Sequence, residues 1–375
     1  MWWSPAGATP GRFNVKITTV DTEVVRLPLE VPFRDPRGEL TFIDNILVRA
    51  RTDEGLVGIG WAFSLNGRNT ASLKGTIDEL KVGLVGRNPL HLGELQDALR
   101  QVAFNVGPGG LITMAMAALD VVIWDLRGKL LNLPIADLLG RRRNRVPTYA
   151  SQGLWRNYGP AELAAQAAEY VALGFRAVKL RVGGEADPEK EVERVRVVRE
   201  AVGWGVDVMA DVNQGWTPWR AIALGRRFQE YGLYWLEDQV PMLDLAGSAE
   251  VARALDLPVC AGEYHYEVSG LKRLLDERAV DILMVDLLRV GGITEWLKAA
   301  ALAEAYQVPV VSHLVPEVHV HIFAAIPNGL TVEYMPWSFG LFKNPPRLVD
   351  GELEVPSGPG LGLELDEGRI ARYRV

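Results

Sequence analysis

Three short runs decide the architecture: Asp207-Val208-Met209-Ala210-Asp211, Tyr234-Trp235-Leu236-Glu237 and Val259-Cys260-Ala261-Gly262-Glu263. Each is largely apolar and each finishes on a carboxylate. The carboxylates are evenly spaced, since 237 − 211 = 26 and 263 − 237 = 26. That interval is about one βα unit, so successive parallel strands would bring the three acids to one rim.

Working outward, similar runs occur at residues 146–150, 177–182, 282–286, 308–312 and 330–334, which makes eight candidate strands. Amphipathic helical patterns at 160–173, 188–202 and 294–306 separate several of them, the βα alternation of a closed parallel barrel. Upstream of about residue 145 the pattern is α+β. Residues 15–28 and 45–61 are rich in Val, Ile and Thr, and Asp53-Glu54-Gly55 supplies a hairpin turn, so an antiparallel meander is expected. In 111–131, Met114, Ala117, Ala118, Val121 and Val122 share one helix face; Asp125 comes next and breaks it. Apolar residues on the other faces predict a largely buried helix ending between Gly128 and Pro134. Beyond Gly340 the chain is rich in Pro and Gly and is expected to return over the first domain.

A chain of 375 residues with 48% hydrophobic content can bury a large core, in one long domain plus a smaller one. A net charge of −7 and a pI near 5.5 provide no basic field for nucleic acid or an anionic membrane, so an anionic ligand must be held locally. Cys260 is the only cysteine, which excludes an internal disulfide framework and suits a reducing compartment. The start, Met1-Trp2-Trp3-Ser4-Pro5, lacks a basic region followed by an apolar stretch, and the apolar segments are broken by charge well short of a membrane span. The expectation is a soluble, cytoplasmic protein.

Active sites of such barrels gather at the C-terminal ends of the strands. Asp211, Glu237 and Glu263 would repel one another there unless neutralised, and a hard divalent cation is the simplest neutraliser; no Cys/His cluster competes for zinc. The bland alternative is three unrelated helix caps or surface acids. Lys179 and Arg181 alternate on a strand and so share a face, although an ion pair to Asp211 would explain Lys179 nearly as well. Asp286 and His313 end adjacent candidate strands, so the carboxylate could hold one imidazole nitrogen and leave the other as a base. Glu333 joins the same rim. For His265, His319 and His321 packing or supporting roles are expected, and Gly107-Pro108-Gly109-Gly110, which leads to no P-loop lysine, is expected to be a turn.

The ordered set Lys179-x-Arg181, Asp211, Glu237, Glu263, Asp286 with Gly291-Gly292, and His313 resembles the enolase superfamily and, within it, the mandelate racemase subgroup. The run from Ala118 to Lys129, continuing through Pro134 to Gly140, is similar to the helix leading into that family's barrel, and the resemblance covers nearly the whole chain. It implies an α/β fold: a modified TIM (β/α) barrel at 146–339, with an α+β capping domain formed by residues 1–145 and a returning segment, 340–375. It also implies Mg²⁺ on Asp211, Glu237 and Glu263, chemistry of the kind known for enolase-superfamily sites. Lys179 would lie near a substrate carboxylate oxygen, Glu333 would hydrogen-bond another when protonated, and Asp286 would fix the tautomer of the base His313. Relatives resembling muconate-lactonising enzymes and dipeptide epimerases carry a Lys five residues before the Gly-Gly pair. Asp286 stands there instead, since 291 − 286 = 5.

The departure is Arg181, where the racemase pattern has a second Lys. A guanidinium stays protonated and offers no opposing base, so dehydration of an acid sugar to a 2-keto-3-deoxy acid is expected. The alternatives are a racemase, epimerase or cycloisomerase acting on a hydroxy acid or sugar-acid lactone and, from another class, a non-catalytic carboxylate-binding barrel. Intact candidate ligands and an intact Asp286/His313 pair argue against the last. Polar segments Arg34-Asp35-Pro36-Arg37 and Asn66-Gly67-Arg68-Asn69 suit a polyhydroxylated ligand. Arg34, Arg37 and Asn213 are the candidate substrate contacts, in a homo-oligomer whose partner is a small carboxylate.

Overall fold

The computed structural model describes residues 14–35 and 38–375. Strands β1 (Ile17–Asp35), β2 (Gly38–Thr52) and β3 (Val57–Leu65) form an antiparallel meander in that order. The β2–β3 hairpin turns at the expected place, where Gly55 adopts φ +80° and its N–H donates to Thr52 O at 3.0 Å.

The Gly110–Leu131 helix lies across this sheet and ends at Asn132, whose left-handed φ of 54° closes it inside the expected window. Gly60 permits the close approach, because a Cβ there would come within 2.5 Å of Ala118 O. Asp125, the residue that breaks the apolar face, is fully buried. Its carboxylate accepts from Ile59 N and Leu361 N, each at 2.8 Å, and from Lys129 Nζ at 2.6 Å. One acid therefore ties the meander, its helix and the C-terminal segment together. Asp120 does a similar job towards the barrel, accepting from Gln96 Nε2, Thr294 N and Thr294 Oγ1.

The barrel is built from β4 (Arg145–Ala150), β5 (Ala177–Arg181), β6 (Asp207–Asp211), β7 (Trp235–Glu237), β8 (Val259–Ala261), β9 (Ile282–Asp286), β10 (Val310–His313) and β11 (Val332–Tyr334). β4 to β10 pair in parallel in chain order and β11 pairs with β4. The last seam is looser: β10 and β11 meet through a bridge between Val310 and Gly329, with Glu333 N donating to Ser312 Oγ at 2.8 Å. Pro starts the outer helices Pro160–Ala172, Pro188–Val202 and Pro218–Phe228, where its missing N–H costs nothing. The interior is plugged by buried Tyr149, Met209, Trp235, Cys260, Met284 and Val311, so the barrel is a packed core and not a pore.

After β11 the chain forms a hairpin, β12 (Leu348–Val349) and β13 (Glu352–Glu354), and β13 lies antiparallel on β4. It then runs back to the meander, where Arg374 bridges Val25 and Val375 N donates to Val24 O at 3.1 Å. Among the described residues no helix is long and apolar enough to cross a membrane.

Candidate active site

The register of the parallel strands fixes the site. Arg181 pairs with Asp211, Asp211 with Glu237, and Glu237 with Cys260; on the other side His313 pairs with Asp286. Arg181, Asp211, Glu237, Asp286 and His313 end their strands at one rim, and Glu263 follows two residues past the end of β8. The cavity above it, about 340 Å³, is lined by Lys179, Arg181, Asp211, Asn213, Glu263, His313 and Glu333 from the barrel. Its upper wall comes from the meander side, with Phe33, Phe63, Arg68 and Asn69.

Each carboxylate is held. Asn213 N and Nδ2 donate to Asp211 Oδ1, both at 2.8 Å, so Asn213 is engaged with Asp211. Glu237 accepts from Trp235 Nε1 at 2.9 Å and from Lys179 Nζ at 2.5 Å. Glu263 Oε2 lies 3.1 Å from His313 Nε2. Burial pushes Glu237 above the usual carboxylate range despite Lys179, and Asp211 and Glu263 add to the rise. Burial raises Glu263 as well, against the pull of His313. Among the described residues no three acidic, His or Cys side chains stand close enough together to chelate a metal as they are. The side chains of Asn213, Lys179 and His313 occupy their oxygens instead. The donor set itself, three hard oxygen ligands on buried side chains, of which Glu237 and Glu263 resist ionisation without a counter-cation, fits a dication of the magnesium kind and not zinc.

Lys179 is 1% exposed and lies 3.1 Å from Glu333 as well as on Glu237. The alternative of an ion pair between Lys179 and Asp211 is not what the structure has: the cation nearest Asp211 is Arg181, with Nε 3.7 Å from Oδ2. Burial alone would lower the Lys179 pKa, but Glu237, Glu333 and Asp211 outweigh it and raise it. Arg181 Nη1 donates to Ser151 O at 2.5 Å, Nη2 to Ser151 Oγ at 2.8 Å, and the guanidinium stacks 4.6 Å from the Trp155 ring. Trp155 is itself stacked on Phe33, with ring centroids 3.9 Å apart.

Two expectations need correction. Glu333 accepts from Ser151 Oγ at 2.5 Å and Leu314 N at 2.7 Å. Burial would raise its pKa, yet Lys179, His313 and Arg181 pull it down to about 2, so it is an ionised anchor for the cations and not a protonated donor. His313 Nδ1 is 2.6 Å from Asp286 Oδ2, as expected, but Nε2 is not free; it faces Glu263. Burial would lower the His313 pKa, and Glu263 and Asp286 reverse that and lift it to about 8. Asp286 is steadied in turn by Arg289, whose N donates at 2.7 Å and whose Nη1 lies 3.5 Å away. Just past His313, Leu314 and Val315 take left-handed φ values of 53° and 44°, a strained turn of the kind that gathers at functional sites.

Arg37 lies outside the described residues, and of Arg34 only the backbone, paired with Glu39, is described. His319 and His321 sit in the Pro316–Phe323 helix, fully buried, and His265 is not among the residues lining this cavity. Ser151, Trp155, Arg156, Tyr264 and Arg289 also belong to the site or its supports, and the sequence reading passed over them. The only signal for them is position, since each lies one to six residues beyond the end of a barrel strand.

The chain matches two family models: mandelate racemase / muconate lactonizing enzyme, N-terminal domain, over residues 16–140, and enolase C-terminal domain-like over 162–369. It is 29% identical over 358 residues to an L-talarate/galactarate dehydratase of Salmonella typhimurium, covering 94% of this chain and 89% of the relative. It is 33% identical over 367 residues to a D-xylonate dehydratase of Haloferax volcanii, covering 90% and 88%. Among solved structures, L-talarate dehydratase from Polaromonas sp. JS666, complexed with Mg and L-glucarate, superposes with a TM-score of 0.91 at 32% identity, covering 96% of this chain and 98% of that one.

Proposed function

From a chain that belongs to the mandelate racemase / muconate lactonizing enzyme family of the enolase superfamily, we propose a magnesium-dependent lyase that removes the α-proton of an acid sugar and expels the neighbouring hydroxyl as water. Dehydratases of sugar acids among its relatives support the reading, as does a relative solved with magnesium and L-glucarate. The product is a 2-keto-3-deoxy acid.

In this reading Asp211, Glu237 and Glu263 would hold Mg²⁺, which when bound would supply Lewis-acid neutralisation of the charge that builds on the substrate carboxylate as its α-proton leaves. Lys179, kept protonated by its carboxylate neighbours, adds a fixed positive charge at the same end. His313 takes the α-proton on Nε2. Asp286, bonded to Nδ1, selects the tautomer that leaves Nε2 unprotonated and stabilises the imidazolium that results. The same imidazolium then returns its proton to the departing hydroxyl.

The observation that carries the choice of dehydration is the asymmetry of the rim. His313 is a base with an orienting acid, whereas both cations on β5 are held protonated: Lys179 by two carboxylates and Arg181 by Ser151 and Trp155. A racemase needs a neutral base on each face, and neither residue offers one near neutrality. NMR of the product formed in D₂O decides. A keto-deoxy acid is expected; an inverted, deuterated hydroxy acid without keto product would overturn the proposal.

A further inference from the structure

The rim carries one more cation that the chemistry above leaves unused. Arg156 lines the same cavity from the loop after β4. Its Nε donates to Val182 O at 2.7 Å and its Nη2 to Val212 O, carbonyls one residue past Arg181 and Asp211. Its stem runs over Gly183 and Gly184; a Cβ on Gly184 would sit 3.4 Å from Arg156 Cδ. The guanidinium is therefore fixed in direction by neutral groups alone. Among the described residues no carboxylate lies within ion-pair distance of it, and Nη1 has no protein acceptor. Burial lowers its pKa, and the carboxylates of Asp211 and Glu191, beyond ion-pair distance, offset that only in part.

Other interior arginines do not share this state. Arg194 and Arg199 also brace carbonyls, but neither reaches the cavity. Arg289 lines the cavity, and its charge is matched by Asp286. Arg156 alone of these lines the cavity with a fixed orientation, a nitrogen that has no protein acceptor and no acid within ion-pair distance.

We infer that Arg156 receives a second carboxylate at the end of the substrate remote from the reacting one, so that the enzyme's substrate is a sugar diacid. This rests on the acid-sugar reading above. A carboxylate would give Arg156 the charge-assisted bond it lacks. A monoacid would place a neutral hydroxymethyl group there and leave the cation uncompensated.

The test compares a six-carbon aldarate with the aldonate of the same configuration, assayed with Mg²⁺ for keto product. The wild type should favour the diacid in kcat/KM by about tenfold or more, the worth of one charge-assisted hydrogen bond. Arg156→Gln should bring the ratio of the two values close to one, chiefly through KM for the diacid, and Arg156→Lys should restore part of it. Equal or better use of the monoacid by the wild type would overturn the inference while leaving dehydration standing. An Arg156→Gln change that lowers both substrates equally would overturn it too, since it marks a structural brace. Absence of keto product from every acid sugar would sink both readings. If Arg156→Gln does not fold, the wild-type ratio and Arg156→Lys still decide.

Discussion

His313 stands between two acids that do different work. Asp286 grips Nδ1 and Glu263 faces Nε2, and together they lift the imidazole to about 8. With a dication on Glu263 that second pull is cancelled, so the base of the loaded enzyme should titrate below this value. The neutral form is the active one. The expectation is therefore a kcat/KM that rises with pH through a single inflection below about 8 and then levels; a profile flat from about pH 5 upward would contradict it. His313→Asn should cut kcat by about a thousandfold, the scale of a lost general base, and should stop exchange of the substrate α-proton with solvent deuterium. Undiminished exchange would move the role to another group.

At the scale of elements, the Pro316–Phe323 helix is stapled through a neutral histidine. His321 Nδ1 accepts from Ala136 N at 3.3 Å and its Nε2 donates to Leu361 O at 3.0 Å, a pattern that protonation of Nδ1 would break. Burial holds both His319 and His321 down at about 4. Between there and the ordinary value near 6.5 the unfolded chain binds protons that the folded chain refuses. Their stabilisation is complete above about 6.5 and is lost as pH falls through about 4, on the order of 3 kcal/mol for each group. Other buried groups, among them Asp120, Glu317 and His313, are shifted upward and bend the overall profile the opposite way, so the test is a difference: in urea unfolding the stability gap between the protein and His321→Gln should shrink by about 2 kcal/mol from about pH 7 to about pH 5; an unchanged gap would assign the effect elsewhere. The Asp125 tie makes a second prediction. Asp125→Ala strands two buried N–H groups and Lys129, and should cost about 3 to 5 kcal/mol in the same assay. The barrel elements were legible in the sequence because β6 to β10 are short apolar runs that end on, or in β8 within two residues of, chemically distinctive residues. The partners of those residues were not. Whether Lys179 meets Asp211 or Glu237, and whether His313 Nε2 is open or faces Glu263, depends on how far each side chain reaches across the ring. Strand alternation carries no information about that. Ser151 and Trp155 were hidden for the same reason, since loop residues are positioned by packing against other elements and not by periodicity.

For the molecule as a whole, three mutually repelling acids on one rim and a cavity roofed by the meander make the metal a structural as well as a chemical partner. Chelation with EDTA should abolish activity and lower the Tm, and excess Mg²⁺ should restore both, because a ligand bound only to the folded chain adds to its stability; a Tm indifferent to Mg²⁺ would count against the site. The Asp125 knot also bears on how the chain is made. Leu361 lies 236 positions after the acid that it completes, and Val375 N closes on Val24 O near the other end of the sequence. On the ribosome the meander and its helix emerge first, with one buried carboxylate short of a donor and β1 lacking its final backbone partner. They must wait for nearly the whole barrel to be synthesised before these gaps are filled. Until residues 361–375 arrive, the nascent meander keeps an open backbone edge and an unfilled carboxylate.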